Sequence, residues 1–513
     1  MHRFPTAEAE IGEELAVVRP GLVPRYAREL AGARAAVLTR LWRALAHEPL
    51  PWIGGRERVR DALVLRLSDG RVLEGPPSDP YATDAYVTAV RLDGEVHDDA
   101  ARLTTALAVP HGGALAAELA HSAASLALSR ANRPSPAGGP FPPQEWPGRD
   151  WEWEQRVVDG HPFHPNCRSR PGFSVAEQLA YGPEHRPVVE LRLLPVAVRE
   201  CLVTGEWPRE LRDGEKLLMP VHPWQAEHVL KRPGEGDRLA AHPLMSLRTL
   251  ALPDGPHVKT ALSARLTSSV RDISVGSVAA SAVLSAFAQD LAARTGGLLH
   301  LTRTLGAATA HSPDLAALWR ESPQEYIRPG ERVLPVAALP DTGLPDSPAW
   351  LAGFTRLALT AGLGLLELGV ALEAHGQNLL VVLSAAGAPV RLVYRDLADI
   401  RVSPVRLARH GIAVPALPER NLTDDPAALR RKLFGSLVAG ALAGAAGSGP
   451  ALGAALEAAL PDLPRTADVR ALREDPLPVK ALTLMRLSPG RGGDIWTGLP
   501  RPGATGLWPS VRL

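Results

Sequence analysis

Apolar positions recur at helical spacing over residues 7–46, with interruptions at Pro20 and Pro24, and again over 114–129. Between them, residues 64–74 alternate apolar and polar side chains about Asp69-Gly70, the pattern of a hairpin closed by a turn dipeptide. Residues 134–147 are rich in Pro and Gly and mark a boundary. Beyond it come short alternating runs at 217–225, 245–250, 258–263 and 266–274, read as strands. Residues 276–301 then read as a long helix entering a strand, and 312–349 as a Pro-rich connector. Residues 354–372 form a strongly apolar helix leading to Glu373-Ala-His-Gly-Gln-Asn378. Two apolar runs follow, 379–383 and 390–394, separated by a Gly- and Pro-containing loop, which reads as a second hairpin ending at Arg395-Asp396. From 424 onward the pattern is mainly helical, Ala- and Gly-rich over 437–460, and the tail from 489 reads as loop. The fold class expected is therefore α+β, with mixed or antiparallel sheet and a mainly helical C-terminal region.

With 513 residues there is chain for several structural units, set here at 1–135, 136–345 and 346–513. Apolar residues make up 45% and charged residues 22%, an ordinary globular balance. A formal charge of +1 gives no global field for nucleic acid or an anionic membrane. Two cysteines, Cys167 and Cys201, are too few for a disulfide framework or a thiolate cluster, and a cytoplasmic setting is the simplest. The 357–372 window is broken by Glu367 and short for a bilayer span. No P-loop, no G-x-G-x-x-G after a strand and no G-x-S-x-G elbow occurs.

The candidate chemistry is of two kinds. A hairpin that starts at Asn378 and ends at Asp396 brings an amide oxygen beside a carboxylate, with Glu373 close in sequence; such hard oxygen donors suit Mg²⁺ shared with nucleotide phosphates. The turn-rich stretch 160–173 holds His161, His164, Arg168 and Arg170. Two histidines three apart can serve zinc, but with no third ligand of standard spacing an anion-binding loop fits better. On the strands, Ser246 with Arg248, and Thr267, Ser269 and Arg271, would each share a face, with Lys259 between them. A polycation surface facing an oxygen site would bind Mg²⁺-ATP. Two reactions use such a cleft: phosphoryl transfer to a hydroxyl, and activation of a carboxylate by adenylation. Against the first, Gln377 stands where kinases of the aminoglycoside type place an Asp after His-Gly.

Taken in order, GHPFHPNCRSRPGF, MPVHPWQ, SLRT, KTALSARLTSSVR, EAHGQN and RD resemble the IucA/IucC family of siderophore synthetases over roughly residues 115–490. The resemblance implies a cupped hand of thumb, fingers and palm. It implies an ATP-dependent ligase that adenylates a carboxylate of citrate or a related polycarboxylic acid, then condenses it with an amine or hydroxylamine-bearing amine. Carried over by motif, His161, Arg168, Arg170, Ser246, Arg248, Thr249, Lys259 and Arg271 would contact ATP. Arg248, Thr267, His375 and Lys480 would meet the substrate carboxylate, and Glu373, Asn378 and Asp396 would hold Mg²⁺. His161, Arg271, Lys259 and His375 would carry the catalysis. Arg168 stands where the family usually has lysine. The family's habit of pairing makes a homodimer an expectation, with no nucleic acid and no membrane as partner. A catalytically idle homologue would instead bind nucleotide without turning it over.

Overall fold

The computed structural model describes residues 6–503 apart from 134–139, 233, 254 and 267–268. The N-terminal part packs the helices Ala7–Val18, Val23–His47, Ala100–Leu107 and Gly112–Ala131 on a five-stranded antiparallel meander running from Ile53 to His97. Thr6 caps the first helix by accepting Ala9 N–H, and Pro20 ends it in a single 3₁₀ turn before Val23–His47 begins. The Asp69-Gly70 hairpin forms between Ala62–Leu67 and Val72–Gly75, with Gly70 at φ +90°, where a side chain would be strained. Trp42 lies fully buried against this meander, its indole N–H donated to Pro76 O at 2.9 Å.

The middle of the chain builds a nine-stranded sheet in which every pairing is antiparallel. Its centre is the sequence of neighbours Leu315–Arg320, His257–Thr260 and Thr249–Ala251. A four-stranded sheet follows, ordered Leu299–Leu301, Pro389–Tyr394, Leu379–Leu383, Arg332–Pro335, with the first pair parallel and the others antiparallel. All five residues of Leu379–Leu383 are buried, as a central strand covered on both faces requires. The α+β class expected from the sequence holds, and the C-terminal part is mainly helical.

Three expectations fail locally. Residues 312–349 are not a connector: they supply Leu315–Arg320 to the large sheet and Arg332–Pro335 to the small one. Both strands are short and lie among prolines, so their partners, not their own pattern, make them strands. Met245–Arg248 is a turn, with Leu247 at φ +62°, and only Thr249–Ala251 is extended, so Ser246 and Arg248 do not alternate along a strand. The tail returns to pair Trp496–Leu499 with Leu477–Lys480.

Among the described residues, the helices Val275–Ala293 and Pro348–Leu368 are long and apolar enough to cross a membrane, and a bent pair over Pro426–Asp462 passes the same test. Here the two long helices each pack one face against the protein. Val275–Ala293 lies across Thr304–Ser312 and Leu202–Gly205, and Pro348–Leu368 lies against Gly449–Ala459, with Phe354 and Leu365 fully buried.

Candidate functional site

The His257–Thr260 strand is buried at every position, and Lys259 sits on it opposite Leu318 and Thr249. Directly paired residues of an antiparallel ladder share a face, so Lys259, Thr249 and, two residues along, Arg320 point the same way. They point at Asp396. Lys259 Nζ lies 2.8 and 3.0 Å from the two carboxylate oxygens, and Arg320 donates to one of them at 3.2 Å. Asp396 itself follows the Pro389–Tyr394 strand in the left-handed region, φ 72° and ψ 78°, a conformation aspartate tolerates better than most side chains. The hairpin register pairs Leu379 with Tyr394, and Arg395 N–H donates to Asn378 O at 3.1 Å, so Asn378 stands at the same end as Asp396. The segments separated by more than a hundred residues thus meet.

These groups border a hollow whose walls include Arg248, Lys259, Arg320, Asp396 and Arg420, with Ala280, Leu284 and Ile273 giving an apolar side. Arg248 donates to Arg271 O and Asp272 O at 2.7 and 2.6 Å, and burial pushes its guanidinium down to about 10, opposed by Asp396. Burial likewise pushes the Lys259 ammonium down to about 7, with Asp396 raising it and Arg320 lowering it. The Asp396 carboxyl, despite burial, is held well below the usual range by Lys259 and Arg320. Arg271 is half-buried at the end of Ser269–Arg271, its guanidinium lowered by burial and raised by the charges of Asp396 and Glu373. Ser246 accepts Thr249 N–H at 3.1 Å, which closes the turn ahead of Thr249.

The histidines reveal their tautomers. His161 Nδ1 accepts Phe163 N–H at 3.2 Å, and His375 Nδ1 accepts Gln377 N–H at 3.3 Å. His222 does the same with Trp224. A nitrogen that accepts carries no proton, so each neutral ring keeps its proton on Nε2 as a donor. His161 retains solvent access, yet the surrounding protein withdraws water from its charged form, and His164, His375, Arg40 and Arg43 add to the lowering, so its pKa is well below the ordinary value. His375 is lowered by burial, with Glu373 and Asp396 opposing and Lys480 and Lys432 assisting.

Glu373 receives Lys432 at 3.2 Å and Lys480 at 3.8 Å, and Lys480 also reaches Asp494 at 3.1 Å. The turn carrying Glu373 and His375 is clamped from behind: Ser436 Oγ accepts Ala374 N–H at 2.9 Å and donates to Lys432 O at 2.7 Å. Ser436 lies in the π-helix Phe434–Leu442, a form common beside functional sites. On the other side Arg395 donates to Gln377 O at 2.9 Å and pairs with fully buried Glu154 at 2.7 Å.

Two predicted phosphate ligands are placed elsewhere. Arg168 and Arg170 turn inward to Glu184, at 3.2 and 2.7 Å, and all three side chains are buried. Arg168 also donates to Val157 O and Val158 O. One carboxylate serves both guanidinium groups inside the fold, and neither residue lines the hollow beside Asp396, which speaks against their assignment to ATP. Thr267 lies outside the described residues. Arg320 and Lys432 were missed. Once Leu315–Arg320 is known to be a strand beside His257–Thr260, the parity of its residues identifies Arg320; without that, it reads as one more arginine.

Among the described residues no cluster of three or more histidine, cysteine or carboxylate side chains gathers to hold a metal. The set Glu373, Asn378 and Asp396 offers the donor types a hard ion takes, two carboxylates and an amide. In the structure Asp396 pairs with Lys259 and Arg320, and Glu373 pairs with Lys432.

Residues 150–341 match the family model described as the IucA / IucC family, and 348–495 match one described as a ferric iron reductase FhuF-like transporter. The second stretch contains no cysteine, hence no thiolate for an iron–sulfur cluster. The chain is 26% identical over 315 residues to a citryl-spermidine/3,4-dihydroxybenzoyl-citryl-spermidine:spermidine ligase of Bacillus anthracis, covering 48% of this chain and 51% of that one. It is 24% identical over 322 residues to aerobactin synthase of Escherichia coli, covering 48% and 55%. The chain spans about half the length of the curated relatives it matches. Among solved structures, the petrobactin biosynthesis protein AsbB of Bacillus anthracis superposes with a TM-score of 0.74 at 18% identity, over 93% of this chain and 97% of that one. ATP-bound aerobactin synthetase IucA of Klebsiella pneumoniae superposes with 0.70 at 20% identity, over 91% and 98%.

Proposed function

We propose, for a chain whose residues 150–341 match the IucA / IucC family model, that it is an ATP-dependent ligase joining a carboxylate of a citrate-like acid to an amine. The observation that carries this reading is the convergence of Lys259 and Arg320 on Asp396 at the wall of a large hollow, with Arg248 beside them. A nucleotide triphosphate is the kind of polyanion that such a wall accepts. The relatives' names point the same way, since they describe citryl and aerobactin synthases.

In this mechanism a substrate carboxylate oxygen attacks the α-phosphorus of ATP. The bond to the bridging oxygen breaks, pyrophosphate leaves, and an acyl-adenylate forms. An amine then attacks the acyl carbon, forming the C–N bond as AMP departs and the amine loses a proton. Lys259, Arg248 and Arg271 offset phosphate charge, and Lys480 lies with Glu373 near where a second carboxylate would sit. His161 and His375 act as neutral Nε2–H donors, not as cations, toward oxygens that gain charge as bonds form and break. Holding the adenylate and amine together supplies much of the rate. Mg²⁺, when bound with the nucleotide, would neutralise phosphate charge, and Glu373, Asn378 and Asp396 are the residues to hold it. The thumb, fingers and palm are assigned to 1–135, 136–345 and 346–513; the four-stranded sheet crosses the last boundary, since Leu299–Leu301 and Arg332–Pro335 join it from the middle part.

A matrix of polycarboxylic acids against polyamines and amino acids, scored for AMP and pyrophosphate, tests the reading. AMP and pyrophosphate released only when an acid is present support it, and Arg271→Ala should abolish that release. ADP as the product would replace it with phosphoryl transfer to a hydroxyl.

The state of Lys259 makes a separate prediction. Its pKa of about 7 in the free protein must rise when phosphate approaches. Above pH 7, binding an ATP analogue therefore takes up a proton, and apparent affinity falls as pH rises, by at most about tenfold per unit. Calorimetry in buffers of different ionisation enthalpy should show this uptake, and Lys259→Met should remove it.

A further inference from the structure

We propose that a second hollow behind the His161 loop, lined by three arginines and three aspartates, binds a small carboxylate. This inference does not rest on the ligase reading. The hollow lies between the Val23–His47 helix, the 79–86 segment and the 159–162 segment. Arg40 and Arg43 face it from one helix, only 6% and 7% exposed, and neither forms an ion pair with a carboxylate among the described residues. Glu48 and Asp79 act on Arg43 through space without pairing with it directly, and guanidinium N–H groups left without an acceptor before a polar cavity are where an anion would complete the site.

The two arginines are not equivalent. All three Arg40 nitrogens are engaged, on Pro162 O and Asp159 O at 3.1 Å each and on Cys167 Sγ at 2.9 Å. Arg43 uses only Nε, on Pro80 O at 2.6 Å, while its guanidinium lies 4.5 Å above the Phe163 ring. Its two terminal nitrogens have no acceptor among the described residues and border the hollow. The nearby carboxylates make their hydrogen bonds elsewhere: Glu48 accepts the N–H groups of Thr483 and Leu484 at 3.1 and 2.7 Å, Asp79 those of Tyr81 and Gly449 at 2.9 and 2.7 Å, and Asp159 holds Arg130 at 3.0 and 2.6 Å. The Tyr86 hydroxyl, also on the wall, is buried beside Ser78 and Asp79.

A planar pair of guanidinium N–H groups matches the two oxygens of a carboxylate, and a hydroxyl donor adds a third contact. One open guanidinium with Asp79 and Asp84 on the same wall suits a single negative charge better than phosphate. The occupant would touch the back of the loop that carries His161, because Pro162 lines the hollow and Phe163 lies under Arg43. It would therefore be coupled to the first site.

The test is calorimetric titration of acetate, malonate, glycine and inorganic phosphate into the full chain at constant ionic strength. Wild type, Lys259→Met, Arg43→Lys and Tyr86→Phe are compared, each checked for folding by near-ultraviolet circular dichroism. The expected result is a carboxylate site that survives Lys259→Met, weakens about tenfold in Arg43→Lys, which loses the fork, and weakens less in Tyr86→Phe. The proposal is overturned if carboxylate binding disappears with Lys259→Met and persists in Arg43→Lys, if phosphate is preferred to every carboxylate, or if nothing binds.

Discussion

Replacing Glu184 with alanine is expected to destabilise the protein by about 3–5 kcal/mol, the cost of leaving buried cations without their counterion. Glu184 has no exposed surface and faces Arg168 and Arg170, themselves buried. Burial would raise its carboxyl, but the two guanidinium groups hold it well below the ordinary value. A depressed native pKa gives stability that is fully present above the unfolded value and is lost as pH falls through the native one. At pH 7 the whole effect is therefore visible in a denaturant melt of the variant. Arg168→Lys should fall between wild type and Glu184→Ala, because one ammonium cannot serve Glu184, Val157 O and Val158 O as the planar fork does. Arg168→Lys should also leave the nucleotide KM unchanged while the melting temperature drops. A raised KM with an unchanged melt would return Arg168 to the phosphate site.

The misreading of Arg168 and Arg170 shows where sequence loses its hold. A loop bearing two histidines and two arginines reads as an anion site because nothing in it names the partner. The partner is one glutamate in the short Pro183–His185 turn, recognisable only after folding. The hairpin 379–394 was legible for the opposite reason: an unbroken apolar run, a Gly/Pro loop and a second run leave one arrangement, which puts Asn378 beside Asp396. Lys259 was read only as one cation on a strand between two others. Arg320 did not, because its strand lies in a stretch whose prolines masked it, and the tautomers of His161 and His375 depend on backbone N–H groups two residues on that no side-chain pattern announces.

Asp396→Asn should lower kcat/KM by about 10³-fold or more, the scale seen when a preorganised charge is removed from a reacting centre. Asparagine keeps the size of the side chain and accepts the left-handed backbone at φ 72°, so the loss would reflect charge, not shape. It leaves Lys259, Arg320 and Arg248 facing one another without the carboxylate that now offsets them. Lys259, which Asp396 alone raises, then falls below about 7 and loses its proton more readily. The same substitution separates two roles for Asp396. As the present counterion of the wall, it competes with incoming phosphate, so without Mg²⁺ the Asn variant should bind an ATP analogue at acid pH at least as tightly as wild type. As a metal ligand, it should make Mg²⁺ strengthen wild-type binding and fail to do so in the variant. Titrations of the analogue at pH 6 with and without Mg²⁺ read both effects. An Asn variant that keeps near wild-type pyrophosphate release would remove Asp396 from the site altogether, and with it the reason for Lys259 and Arg320 to converge there.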